Sequence, residues 1–371
     1  MIAQVHRLVR LRRYLDDHNL SAALLSRVEH LRYFAGTPAG SLPAALVVTR
    51  DTVVLIAADG TADTDFLEPL GIELCSYAGY DPSHLIDRPA YLVKALSSVV
   101  RHLGVRGRLG TETTHISNAL VQTVPDAAPE DIGSTLAQWR AVKDPVEQGL
   151  IRQRVAILDH AFTALQAAIR PGVSEHDIVS VAYTALLRQV TEPLVLRSNC
   201  ASGPLTATDN PRATARRVAL GDLVLVDLYP VLDGYAADCT RTFVAGSSTA
   251  LQEERHGILE AALAAAESCL RPGAEIATVD RAIRDVLRAA GGYDTRMVHH
   301  SGHGIGLLAW EEPWIGPGTP GVLLEGMIVA LEPGLYVPGW GGMRLEGNYL
   351  ITATGFERLD RFPSKLITAA D

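Results

Sequence analysis

Five residues of types that bind cations are spread through the last 150 or so positions: Asp227, Asp238, His303, Glu332 and Glu346. Asp227 and Asp238 lie in VLVDLYPVLDGYAADCTRTF, His303 in HHSGHGIGL, Glu332 in IVALEPGLY and Glu346 in GGMRLEGNYLIT. Each sits in or beside an apolar or glycine-rich run, where a lone charge is costly to bury. Four carboxylates and one imidazole gathered in one apolar site need cations among them. The set therefore points to two divalent metals bridged by carboxylates, and so to the activation of water.

The elements around these residues say how they meet. Asp233-Gly234 between two β-rich runs is the signature of a two-residue type I′ hairpin, which needs positive φ at both positions. With Leu232 opposite Tyr235, Asp227 falls opposite Thr240 and Asp238 opposite Tyr229. Asp227 and Asp238 then become diagonal neighbours on one face, about 7–8 Å apart at Cα. Glu332 ends the apolar run MIVAL, and a loop of Gly, Pro and Tyr leads to the strand of Glu346. A hairpin would bring the two glutamates together, with Arg344 on the face of Glu346 by period two. Arg344 is then its ion-pair partner, a group that orients it for a metal, or both. The glycines of GHGIG do not form a dinucleotide cradle, because the prolines of LLAWEEPWIGPG forbid the helix that should follow. They let the backbone pass close to His303 and the metals.

The 371 residues exceed one ordinary core and predict two domains. The stretch 123–134, TVPDAAPEDIGS, is the best linker candidate, which sets domains of 1–133 and 134–371. In the first, SAALLS, ALVVT and DTVVLIAAD read as buried strands, with helices near 5–18 and 89–103. In the second, a long helical pattern runs from about 145 to 170. ILDHAFTALQAAIRPGVSEHDI at 157–178 aligns with ILEAALAAAESCLRPGAEIATV at 258–279, a constant offset of 101. A duplicated helix–turn–helix predicts two similar halves facing each other across a cleft; chance likeness of two Ala-rich helices is the alternative.

The net charge of −9 argues against nucleic acid as a partner. No apolar run reaches the roughly 18 residues of a membrane span, and the amphipathic N-terminus, MIAQVHRLVRLRRYLDDHNL, lacks the features of a signal peptide. Four scattered cysteines without a CxxC fit a reducing, cytoplasmic compartment.

These motifs together resemble the pita-bread metallopeptidases: Xaa-Pro aminopeptidase, Xaa-Pro dipeptidase (prolidase) and, more distantly, methionine aminopeptidase, with creatinase-like enzymes on the same fold. WRAVKDPVEQGLIRQ, EEP and LEGMIVALEPGLY add to the match, and SRVEHLRYFAGTP with ALVVTRDTVVLIA resembles the creatinase-type N-terminal domain. The resemblance implies an α/β (α+β) chain, with a creatinase-type domain before a pita-bread domain of pseudo-twofold duplicated halves. It implies that Asp227 and Asp238 serve one metal, that His303 and Glu332 serve the second, and that Asp238 and Glu346 bridge. Glu332 also matches the proton acceptor and donor, and His299 the family's histidine four residues before the ligand. The metals implied are two Mn²⁺, with Co²⁺, Fe²⁺ or Zn²⁺ as substitutes. The reaction implied is hydrolysis of an amide C–N bond in a small peptide or small amide, by a homodimer.

Three positions depart from the family pattern. Asn210 stands where a histidine closes SGPxxxxxH, Trp310 stands where a histidine precedes Glu-x-Pro, and Tyr229 replaces a glycine. A missing imidazole donor costs on the order of 3 kcal/mol of transition-state stabilisation. With Arg344, these residues are expected to line a reshaped substrate pocket. The alternatives are a non-peptidase enzyme of small-molecule metabolism, or a creatinase-like or binding protein on the same fold. Retention of all five ligands weighs against the last two.

Overall fold

The computed structural model describes residues 2–36, 42–208 and 210–368. The chain divides into two compact units, Met1–Arg140 and Ala141–Asp371. The break at 140/141 lies beyond the 133/134 expected from sequence, because the stretch 123–134 is not a linker. Ala128–Asp131 is a strand pairing in parallel with Arg108–Thr111 at the edge of the first sheet, and Gly133–Ala141 is a helix. Pro129 is tolerated because an edge strand need not donate on its open side, and Asp126 takes a positive φ of 54° in the preceding turn. Proline and aspartate here mark a sheet edge and a turn.

The first unit is a six-stranded mixed sheet in the order 72–77, 53–58, 45–48, 22–25, 108–111 and 128–131. The strands expected in SAALLS, ALVVT and DTVVLIAAD form at Ala22–Leu25, Ala45–Val48 and Val53–Ala58, and are buried throughout. Helices run over Ile2–Asp17 and Arg88–Leu103. Leu92, Leu96, Val99 and Val100 of the latter pack on Leu24, Val47, Val54 and Ile56 of the sheet.

The second unit carries the duplication. Pro145–Ala168 and Glu175–Leu187 form one helix pair, and Ala250–Glu267 and Ile276–Ala289 form the other. Both Arg-Pro-Gly turns hold glycine at positive φ, 92° at Gly172 and 80° at Gly273. The Gly172 amide donates to the Val218 carbonyl at 2.8 Å, and the Gly273 amide to the Leu323 carbonyl at 2.8 Å. Short bridges repeat the match, Ser174 with Arg217 and Glu275 with Val322. Chance likeness of helices does not reproduce such bonds. Alanine at Gly172 or Gly273 meets no neighbour within 4 Å, so its cost is backbone strain alone. Each substitution should lower unfolding free energy by about 1–2 kcal/mol in denaturant titrations.

A sheet follows each helix pair, antiparallel throughout in the second and antiparallel in the first except for its parallel edge strand 367–368. The first has the order 367–368, 239–244, 223–232 and 194–202; the second has 311–315, 302–304, 328–331, 347–351 and 356–358. Among the described residues, no helix is long and apolar enough to cross a membrane.

Candidate metal centre

Both sheets deliver acidic residues to one place. Asp233 and Gly234 adopt φ of 45° and 77°, as a type I′ turn requires. Leu232 pairs with Tyr235, and Thr240 with Asp227. The expected register holds, and Asp238 sits diagonally from Asp227. In the second sheet Leu331 pairs with Gly347, which sets Glu332 opposite Glu346. The link between them is itself a hairpin, Gly334–Val337 with Gly341–Arg344. His303 comes from the neighbouring strand, paired with Ala330. The glycines around His303 serve the sheet more than the site: a Cβ on Gly302 would strike the Ala330 carbonyl, and one on Gly304 the Glu312 carbonyl.

Asp227, Asp238, His303, Glu332 and Glu346 are all buried. His303 Nδ1 lies 3.1 Å from the Gly304 carbonyl, which places the ring proton there and leaves Nε2 a free lone pair. Nε2 stands 3.5 Å from Glu332, 3.7 Å from Asp238 and 3.9 Å from Glu346. These gaps are too long for hydrogen bonds. They suit ligand atoms that each approach a shared cation to about 2.1 Å. Asp227 Oδ1, Asp238 Oδ1 and Glu346 Oε1 are buried without a hydrogen-bond partner. Buried polar atoms are rarely left so, and here the three carboxylates that carry them line one cavity.

Electrostatics tells the same story. Burial pushes the Asp238 carboxyl well above the usual range, and Glu346, Asp227 and Glu332 push it further. Glu346 is raised well above its usual value by burial and by the charges of Glu332 and Asp227. Asp227 is raised by burial, against the pull of Arg344. For Glu332 burial also acts upward, but His300, His299, His303 and Arg344 outweigh it and hold the carboxyl low. Burial lowers His303 to about 4, so at neutral pH it is the uncharged form that ligates metals. The protein alone does not balance this charge, and divalent cations would.

Neighbouring groups fix the carboxylates. Thr240 Oγ1 donates to Glu346 at 2.8 Å, and buried Arg241 donates to the Glu346 carbonyl while paired with Asp360 at 2.9 Å. Arg344 corrects the sequence reading. Its Nη2 donates to Asp227 Oδ2 at 2.6 Å and its Nε to Thr240 Oγ1 at 3.0 Å. Its ion-pair partner is therefore Asp227, not Glu346, because Arg344 belongs to the inserted hairpin and not to the strand after Glu346.

A cavity of about 270 Å³ opens on this centre, lined by Asn210, His299, His300, Trp310, Trp314 and Arg344 besides four of the carboxylates. Tyr229 supports Trp310, with ring centroids 5.1 Å apart. His299 is in the wall but both nitrogens are engaged, Nδ1 2.7 Å from the His300 carbonyl and Nε2 2.9 Å from the Tyr336 hydroxyl. Sequence reasoning missed three neighbours. His300 Nε2 lies 2.7 Å from Glu332, Trp314 packs on His300 at 3.8 Å between centroids, and Asn199 donates to Asp227 at 3.0 Å. The doubled histidine of HHSGH was the one available signal for His300.

The family profile described as Metallopeptidase family M24 matches residues 149–353, more than half of the chain. The chain belongs to this family. The Creatinase/Prolidase N-terminal domain matches residues 7–142. The chain is 28% identical over 366 residues to the Xaa-Pro dipeptidase of Pyrococcus furiosus, covering 97% of this chain and 99% of that protein. It is 33% identical over 233 residues to the probable dipeptidase PepE of Mycobacterium tuberculosis, 62% of each. The structure of a Xaa-Pro dipeptidase from Bacillus anthracis superposes with a TM-score of 0.85 at 25% identity, covering 98% of this chain and 99% of that one. This M24 enzyme is a metal-dependent amide hydrolase, and its family implies divalent metal ions.

Proposed function

We propose that Asp227, Asp238, His303, Glu332 and Glu346 hold two divalent ions, and that the enzyme hydrolyses the amide bond of a dipeptide-sized substrate. One observation carries this reading: three carboxylates with buried, unpartnered oxygens line one cavity, two of them, Asp238 and Glu346, within ligand distance of His303. Ions held there would polarise the scissile carbonyl and lower the pKa of water. The chain's own groups do the rest. Glu332, held as the carboxylate, takes a proton and returns it to the leaving nitrogen. Arg344 fixes Asp227, and Thr240 fixes Glu346. A cavity of about 270 Å³ suits a dipeptide-sized substrate, in keeping with the dipeptidase names of the relatives. Manganese as the resident ion follows from the oxygen-rich ligand set, a homodimer from the sequence resemblance, and a cytoplasmic setting from the scattered cysteines.

The pocket is reshaped at Asn210 and Trp310. Asn199 Nδ2 donates to the Asp227 carboxylate, which only accepts, and also to Asn210 Oδ1 at 3.2 Å. This wiring fixes both amides and turns the Asn210 NH₂ away from Asn199 as a neutral donor. Trp310 offers bulk and one indole N–H in place of an imidazole. We infer a substrate other than the Xaa-Pro dipeptides named for the relatives: another dipeptide or an N-acyl amide. The test is hydrolysis by the Mn²⁺-loaded enzyme of Xaa-Pro dipeptides, other dipeptides and N-acyl amino acids. Xaa-Pro substrates should rank below another class, and Asn210→His with Trp310→His should raise Xaa-Pro kcat by about 10²-fold. Fast Xaa-Pro cleavage by the unaltered enzyme would contradict the reshaped pocket.

A further inference from the structure

One side chain beyond the five shares their signature. His300 Nε2 is buried and makes no aligned hydrogen bond, like the orphaned oxygens of Asp227, Asp238 and Glu346. Its Nε2 lies 2.7 Å from Glu332 Oε1, a contact in which a cation held by both atoms would take the place of the proton. Its ring lies 5.4 Å from the His303 ring, nearly perpendicular at 70°. His300, His303 and Glu332 each offer one ligand atom, all within 4.8 Å of one another. Trp314 holds the His300 ring in place by packing against it at 3.8 Å, and strand register sets Trp314 opposite His303. The adjacent His299 shows the contrast, since both of its nitrogens are satisfied.

We propose that His300 is a further metal ligand in this chain, so that one ion is held by His300, His303 and Glu332. The inference rests on the two-metal reading above. Asp238, His303 and Glu346 also lie within ligand distance of one another, but the single Nε2 lone pair of His303 serves one ion directly. The ion beside His303 thus gains a second imidazole, while the other is left to Asp227, Asp238 and Glu346 with bridging oxygens. Two imidazoles and a carboxylate favour Zn²⁺ or Fe²⁺ over Mn²⁺, whereas an oxygen-only set suits Mn²⁺. The structure therefore assigns unlike ions to the two positions.

The experiment is calorimetric titration of the chelator-stripped full chain with Zn²⁺ and with Mn²⁺, for the natural enzyme, His300→Ala and His300→Gln. The glutamine variant keeps a side chain packed on Trp314 while removing the imidazole. Both variants should bind Zn²⁺ at least about tenfold more weakly at one of two sites, with Mn²⁺ affected less than about threefold. The visible absorption of the Co²⁺-substituted variants should also differ from that of the natural enzyme at saturation. Zn²⁺ affinities within about twofold of the natural enzyme, with superposable Co²⁺ spectra, would overturn the role of His300. Failure of the natural chain to bind either ion would instead sink the two-metal reading itself.

Discussion

Replacing Asp238 by asparagine should make the metal-stripped protein more stable and the metal-loaded enzyme inactive. Asp238 is buried among Glu346, Asp227 and Glu332, whose charges all push its carboxyl above the usual range. Its Oδ1 has no partner. Without a cation, that carboxyl is a liability, because a buried charge must be matched or neutralised. Asparagine keeps the shape and removes the charge. In chelator, unfolding free energy should rise by on the order of 1–4 kcal/mol, the range seen when buried ionic groups give way to neutral ones of similar volume. With metal present the order reverses. The unaltered chain should gain about 4 kcal/mol at a thousandfold excess of metal over Kd, and the variant much less. Amide hydrolysis should fall by about 10³-fold or more, at the upper end of what one lost electrostatic partner costs. Denaturant titrations with and without chelator, beside a dipeptide assay, check all three. A variant less stable than its parent in chelator would refute the account of Asp238.

Arg344→Met should have the opposite effect on the stripped protein. Among the described residues, Arg344 is the buried cation set against these carboxylates, pairing with Asp227 at 2.6 Å and lying 3.9 Å from Glu332. Burial works against its charge, yet the charges of Tyr336, Asp227, Glu332 and Glu346 hold its pKa well above the ordinary value. Removing it leaves Asp227 buried and unpaired, which costs about 3–5 kcal/mol. Lysine should not rescue it, because a point charge cannot donate at once to Asp227 and Thr240 as the guanidinium fork does. Combining Arg344→Met with Asp227→Asn should recover most of the loss in chelator, and a double-mutant cycle reads the coupling directly. Additive losses would show that Arg344 stabilises the fold by packing alone.

These two substitutions mark where the sequence was legible and where it was not. The Asp227–Asp238 diagonal could be read in advance because an Asp-Gly turn fixes register, and register fixes faces. The meeting of Glu332 and Glu346 was readable for the same reason. The helix duplication was readable because Arg-Pro-Gly recurs in phase. Arg344 was misjudged because period two holds only within one strand. The chain between Gly341–Arg344 and Gly347–Ile351 changes sheets, and the Arg344 amide bonds across to Thr242 Oγ1 at 3.1 Å. His300 escaped because the chain before Gly302 is bent and not extended, so neither helix nor strand spacing says where an imidazole there will point. Trp314 reaches the site through an irregular pairing opposite His303 and Asn199 by pairing with the strand of Asp227, and single-segment patterns are blind to such registers. The stretch 123–134 misled because proline and aspartate mark an edge strand as readily as a linker.

The central claim is that the buried, unbalanced carboxylates around His303 are a divalent-metal centre. Elemental analysis of the purified full chain, stripped and then reloaded, tests it most directly. The reloaded chain should hold about two equivalents of divalent metal, with fewer retained in Asp238→Asn. A chain that holds none, yet still hydrolyses its amide substrate, would contradict it.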